Sequence, residues 1–158
     1  MAKKINLATA PTVKGTLYPP PFDEPCLKRS RIKLGDAAGL SQFGVNLCTL
    51  PPGTWSSQRH WHTLEDELIY VISGEVVLVT DSGEEILKAG DSAGFKAGVR
   101  DGHTFQNRSS ADAVIMEIGT RLDEDAAYYS DIDLVSPAGP VNYTHRDGTP
   151  YPARPRAT

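Results

Sequence analysis

Hydrophobic and polar positions alternate with a period of two through the middle of the chain. The run Gln42-Phe43-Gly44-Val45-Asn46-Leu47-Cys48-Thr49-Leu50 reads as a strand, ended by Pro51-Pro52-Gly53. His60-Trp61-His62 follows in the same rhythm. In the next run Glu67, Ile69 and Val71 fall on one face and Leu68, Tyr70 and Ile72 on the other. Gly74-Glu75 is a hairpin turn, and Val76 to Thr80, Glu84 to Leu87, His103 to Asn107 and Ala113 to Gly119 continue a meander punctuated at Asp81-Ser82-Gly83 and Ala89-Gly90-Asp91. No helical period of 3.6 survives over ten residues in this core. Short strands at close intervals predict an all-β sandwich or closed barrel.

The flanks read differently. Residues 1–40 carry Pro11, Pro19, Pro20, Pro21 and Pro25, which deny the segment a long helix and predict an extended N-terminal arm with Leu17, Tyr18, Phe22 and Ile32 as apolar contacts. Residues 41–121 form the barrel. Residues 122–158 turn acidic and then aromatic and proline-rich, predicting a C-terminal arm or cover strip with a short helical turn near Asp123 to Tyr129.

With 158 residues the chain is one domain in length, and its net charge of −4 with mixed signs gives no electrostatic footprint for nucleic acid or an anionic membrane. A small-molecule partner is expected. The apolar core of a signal peptide does not form after Met1-Ala2-Lys3-Lys4, and no run is long enough to span a membrane. The two cysteines, Cys26 and Cys48, are far apart and read as structural free thiols, which favours a cytoplasmic location.

Strand alternation puts the imidazoles of His60 and His62 on one face, and the adjacent strand presents Glu67. With His103 downstream, these are the candidate ligands of a divalent metal. Imidazole and carboxylate together suit Fe, Mn, Ni, Co or Zn, whereas a thiolate centre is disfavoured because no cysteine is near. Histidines on a sheet face often only hydrogen-bond, but this cluster uses three of the four in the chain. Phe105 reads as core on the His103 face, and Asn107 beside it either orients a ligand or pairs with backbone. Trp61 faces away from the proposed metal, and Tyr70 packs outside. Arg59, Lys96, Arg100 and Arg121 are the cations that could meet an anionic substrate. Lys96 and Arg100, in the loop before His103, are with Asn107 the candidate substrate-binding residues. Asp101 and Glu117 are possible general bases; no catalytic residue is singled out.

Gly53, His60-x-His62, four residues, Glu67, six residues and Gly74 resemble the first cupin motif, and Gly90, Gly98, His103, three residues and Asn107 resemble the second. The gap from Gly53 to His60 is one residue longer than usual. Lys96 stands where proline is usual, and four residues rather than two separate Gly98 from His103. The wording around Arg59-His60-Trp61-His62 and Ala93-Gly94-Phe95-Lys96-Ala97-Gly98 is similar to small single-domain bacterial cupins, some of which are labelled sugar-phosphate isomerase. The resemblance implies a double-stranded β-helix, a jelly-roll-like barrel, with His60, His62, Glu67 and His103 as ligands and a homodimer formed through arm or strand exchange. The expected function is a metal-dependent enzyme on a small oxygenated metabolite, by isomerase or lyase chemistry or as an Fe(II) dioxygenase. The alternative is a binding or sensing module without turnover, and no DNA-binding segment accompanies it.

Overall fold

The alternation is realised as antiparallel sheets in the computed structural model, which describes residues 4–139 and 142–153; the outermost residues of both expected arms lie outside the described residues. The barrel strands are β3 (Phe43–Leu50), β4 (His60–His62), β5 (Glu67–Ser73), β6 (Glu75–Thr80), β7 (Gly83–Lys88), β8 (Ser92–Phe95), β9 (Thr104–Gln106) and β10 (Ala113–Thr120). Before them come β1 (Thr12–Lys14), β2 (Ser30–Lys33) and the one-turn helix α1 (Leu34–Ala38), and after them β11 (Ala127–Tyr129) and β12 (Val135–Ser136). One sheet has the order β1-β2-β3-β10-β5-β8. Facing it are two three-stranded sheets, β7-β6-β9 and β12-β11-β4. They are joined by isolated bridges between Trp55 and Gln106 and between His60 and His103. This is the expected double-stranded β-helix. No helix among the described residues is long and apolar enough to cross a membrane.

Register sorts the inward side chains into rows. Cys48 pairs with Ile115, and Ile115 with Val71, so three apolar side chains meet at one level. With Leu50, Val76, Leu78, Leu87, Phe105 and Ala113 they form the main core. One level further along, Asn46, Glu117 and Ile69 align, and beyond them Gly44, Gly119 and Glu67. The barrel is therefore apolar at one end and polar at the other. Gly119 stands opposite Glu67, and the neighbouring Gly44 makes room for the Arg121 guanidinium, which lies 3.3 Å from where a Cβ would be. Each fully buried large apolar side chain contributes about 1.5–3 kcal/mol, so the apolar end stabilises the fold while the polar end holds the expected ligand residues.

The flanks depart from expectation. Residues 1–40 are not merely an arm, because β2 pairs with β3 and extends the main sheet. Tyr18 and Cys26 are buried in a second cluster with Tyr129 and Leu134. The prolines do prevent a long helix, but extended backbone is what a sheet edge needs. The helical turn expected near Asp123 to Tyr129 is replaced at its end by β11, which pairs with β4. That edge of β4 supplies hydrogen-bond partners that local propensity does not reveal. The predicted strand from His103 to Asn107 shortens to Thr104–Gln106, with His103 held by its bridge to His60.

Gly74, the turn residue between β5 and β6, has φ +77°, and a Cβ there would lie 2.8 Å from the Asp112 carbonyl oxygen and 2.9 Å from Ala113 Cα. Gly74→Ala is expected to destabilise the fold by about 1–3 kcal/mol, combining left-handed backbone strain with a backbone clash. A urea midpoint equal to that of the parent protein would show that the turn yields without cost.

Candidate metal centre

The four expected ligands are positioned by three separate pieces of backbone. Strand β4 presents His60 and His62, β5 opens with Glu67, and His103 precedes β9. The His60 N–H donates to the His103 carbonyl at 3.2 Å and the His103 N–H to the His60 carbonyl at 2.9 Å, which sets the two rings 5.0 Å apart. Ligand atoms of His60, His62 and Glu67 lie within 4.8 Å of one another. His103 joins them through Glu67. Measured from Glu67 Oε2, the Nε2 atoms of His103, His62 and His60 are at 2.9, 3.6 and 4.0 Å. Phe95 stacks on the His103 ring at 3.6 Å and fixes its plane.

The partners of the other ring nitrogens decide which atoms face inward. His60 Nδ1 donates to the Gln58 carbonyl at 2.9 Å, and His62 Nδ1 donates to Asp125 Oδ2 at 2.6 Å. In both rings Nε2 is thereby left as a lone-pair donor toward Glu67. Asp125 Oδ1 accepts from the Thr63 hydroxyl and from the Leu64 and Glu65 N–H groups, so one carboxylate fixes both the imidazole and the loop between β4 and β5.

Glu67 Oε2 and His103 Nδ1 are both buried without a hydrogen-bond partner, and His103 Nε2 lies 2.9 Å from Glu67 Oε2. Burial pushes the His60 imidazole down to about 3, aided by the neighbouring His103 and His62. Burial alone would raise the Glu67 carboxyl, but the His103 contact and the charges of His60 and His62 outweigh it and hold it at about 2. For Asp125 burial again opposes, and the His62 and Leu64 hydrogen bonds prevail and lower it. Imidazole nitrogens converging on a buried carboxylate oxygen that has no hydrogen-bond partner match the requirements of a divalent cation.

The cluster separates two cavities. The inner one, about 390 Å³, is bordered by His60, Glu67 and His103 and extends to Arg29, Arg31 and Glu117. The outer one, about 300 Å³, is bordered by Trp61, His62, Phe95, Lys96 and Asp101. Lys96 is exposed and lines the outer cavity. Arg100 is exposed and lies over the Trp61 ring at 5.6 Å; Trp61 in turn stacks on Tyr128 of β11 at 5.1 Å.

Asn107 is not placed to bind substrate. Fully buried, it donates through Nδ2 to the Leu50 and Ala111 carbonyls and accepts at Oδ1 from the Ser109 N–H and hydroxyl, so its amide is consumed in tying a loop to β3. Arg59 is engaged by Asp131 and Asp81, and Arg121 pairs with Asp36 at the rim. Glu117 faces the inner cavity, where Arg31 Nε and Nη2 donate to both its oxygens at 2.6 and 2.7 Å.

Sequence reasoning missed Asp125, Arg29 and Arg31. Asp125 sits in a run of acids that resembles a solvated strip, and the two arginines belong to a proline-rich segment that reads as peripheral.

Asp125→Ala is expected to lower divalent-metal affinity about 10- to 100-fold, as removal of a carboxylate behind a ligating imidazole does. Calorimetric titration with Mn²⁺ or Zn²⁺ checks this, and unchanged affinity would mean the contact does not orient His62. Acid stability has a definite sign. His60 is depressed below its unfolded value of about 6.5, so the unfolded chain takes up that proton first and stability falls as pH drops from about 6.5 toward 3. The Glu67 contribution is fully present above about 4.5 and is lost as pH falls through about 2. Melting temperatures of metal-free protein should therefore fall steadily below pH 6.5; a flat profile from pH 6.5 to 4 would contradict the burial of neutral His60.

The description "Cupin domain" fits residues 46–119. Among solved structures, a sugar phosphate isomerase of the cupin superfamily from Silicibacter pomeroyi shares 43% identity over 96% of this chain and 98% of its own, with a TM-score of 0.89. A protein from Acidithiobacillus ferrooxidans, provisionally named a sugar phosphate isomerase, shares 29% identity over 80% of this chain and 82% of its own, with a TM-score of 0.70. The polyketide cyclase RemF from Streptomyces resistomycificus is 19% identical over 76% of this chain and 80% of its own, and its TM-score of 0.58 is a likeness of fold alone. None of the curated proteins matches this chain. Two histidines, a carboxylate and a third histidine meeting inside a double-stranded β-helix, together with 43% identity across nearly the whole of both chains, place this chain in the cupin superfamily.

Proposed function

We propose that this protein is a metal-dependent isomerase of a small hydroxylated or carbonyl compound. The observation that carries the reading is the convergence of three imidazole Nε2 atoms on the unsatisfied Glu67 Oε2 at the wall of a cavity sized for a metabolite. His60, His62, Glu67 and His103 would hold the divalent ion, which supplies Lewis acidity to polarise a carbonyl or hydroxyl oxygen. The isomerase name of the Silicibacter pomeroyi protein supports this reaction class over oxygenation.

The chain's own groups then perform three tasks. Gly119, opposite Glu67 and without a side chain, leaves the space in which a substrate lies beside that carboxylate. Glu117 offers a carboxylate to the cavity, and the Arg31 contacts orient it, so it is the candidate for accepting a proton from a substrate carbon. Tyr143 also lines the cavity, and burial raises its hydroxyl well above the ordinary phenol value, keeping it a proton donor. Isomerisation requires a proton to leave one carbon and return to its neighbour, and these two groups stand on the cavity wall where such a transfer would take place.

The test is incubation of Mn²⁺- or Fe²⁺-loaded protein with aldose and ketose phosphates in deuterated water, followed by NMR. The expected result is deuterium incorporation with interconversion of the pair, and a loss of about 100-fold or more in Glu67→Gln. Oxygen consumption with a carbon substrate and no isomerised product would replace this reading with the dioxygenase. Saturable binding without any turnover would replace it with a sensing module.

A further inference from the structure

The inner cavity is lined, besides the metal cluster, by two arginines that differ in their pairing. Arg31 has its counter-ion, Glu117, at 2.6 Å. Arg29 is only 7% exposed, and its guanidinium donates to two neutral acceptors, the Gly15 and Ser56 carbonyls. Arg31 Nη2 donates to the same Ser56 carbonyl at 2.9 Å, so the two guanidinium groups are held side by side by one oxygen. Arg29 also lies over the Tyr18 ring at 5.6 Å, an attraction that does not cancel charge. Among the described residues, no carboxylate forms an ion pair with Arg29. Buried Asp23 acts on the same Cys26 thiol as both arginines, but it forms no ion pair with Arg29. A buried guanidinium that no described carboxylate pairs with is costly in ordinary interiors, and Arg29 lines a cavity large enough to admit an anion.

We infer that Arg29, with Arg31 beside it, forms an oxyanion-binding subsite, so that the ligand of the inner cavity carries a phosphate or carboxylate at one end and a hydroxyl or carbonyl at the other. This inference rests on the reading of the cavity as the substrate chamber and names the substrate class for it. The paired guanidiniums provide planar donors suited to two oxygens of a single anionic group. His60, Glu67 and His103 line the same cavity, so a compound of this type would set its anionic group on the arginines and its hydroxyl or carbonyl at the cluster. The subsite lies on the inner side of the cluster, away from Lys96 in the outer cavity, although Lys96 is the cation nearest the ligand motif in sequence.

The test is calorimetric titration with inorganic phosphate and, separately, with acetate, using metal-loaded parent protein and the variants Arg29→Gln, Arg29→Lys, Lys96→Ala and Glu67→Gln, with metal content measured on each. The expected result is saturable binding of at least one anion, weakened at least about tenfold in Arg29→Gln, weakened less in Arg29→Lys and unchanged in Lys96→Ala. Whichever anion binds more tightly identifies the end group as phosphate or carboxylate. Glu67→Gln should lose metal and keep anion binding, which separates this subsite from the metal reading. If anion binding disappears in Glu67→Gln and survives in Arg29→Gln, the anion sits on the metal and the subsite is wrong while the metal site stands. Loss in Lys96→Ala alone, or no binding of either anion, also overturns it. Should Arg29→Gln fail to fold by circular dichroism, the Arg29→Lys titration decides: affinity equal to that of the parent protein would reject a role for the guanidinium.

Discussion

The reciprocal backbone hydrogen bonds between His60 and His103 are the contact on which the candidate metal cluster depends. They join the sheet containing β4 to the sheet containing β9, and both partners are candidate ligands. Closure of the barrel and assembly of the cluster are therefore the same event. Backbone pairing fixes direction far more tightly than a side-chain contact could, because each strand position has its side chain committed to one face. Glu67 needs only to begin β5 on the inward phase for the fourth group to arrive.

The same register grades the interior from apolar to charged. At the level of Cys48, Ile115 and Val71 the side chains are fully buried, and the Cys48 thiol is pushed up to about 12 by burial with Glu117 adding to it. Two residues further along each strand, the row of Asn46, Glu117 and Ile69 begins the cavity. The barrel keeps its hydrophobic stabilisation and its buried charges apart by only this short step along the strand. The charges remain within reach of one another, as the Arg31–Glu117 pair shows, and that mutual satisfaction is what makes their burial tolerable.

How much of this was legible depended on range. Period-two alternation is a local property, so β3, β5, β6 and β10 could be read directly, and so could the shared face of His60 and His62 and the inward phase of Glu67. Spacing within the two motifs then identified His103. What could not be read is what arrives from distant sequence. Asp125 reaches His62 across 63 positions, and Arg31 reaches Glu117 across 86. The prolines between Pro11 and Pro25 correctly excluded a long helix but gave no sign that β2 would extend the main sheet. Asn107 shows the opposite error: it lies on the same strand side as His103 and Phe105, yet its amide is spent on the backbone at the closed end of the barrel. Proximity in sequence suggested Lys96 and Arg100, whereas proximity in the fold brings Arg29 and Arg31 to the inner cavity.

The hydrogen bond from His62 to Asp125 has a temporal meaning as well as a geometric one. All the barrel strands through Thr120 precede Asp125 in the order of synthesis, so His62 acquires this partner only after the strands that carry the cluster have been made. The carboxylate selects the His62 tautomer once the following segment pairs with β4. Orientation of that imidazole thus waits on docking of the C-terminal strip.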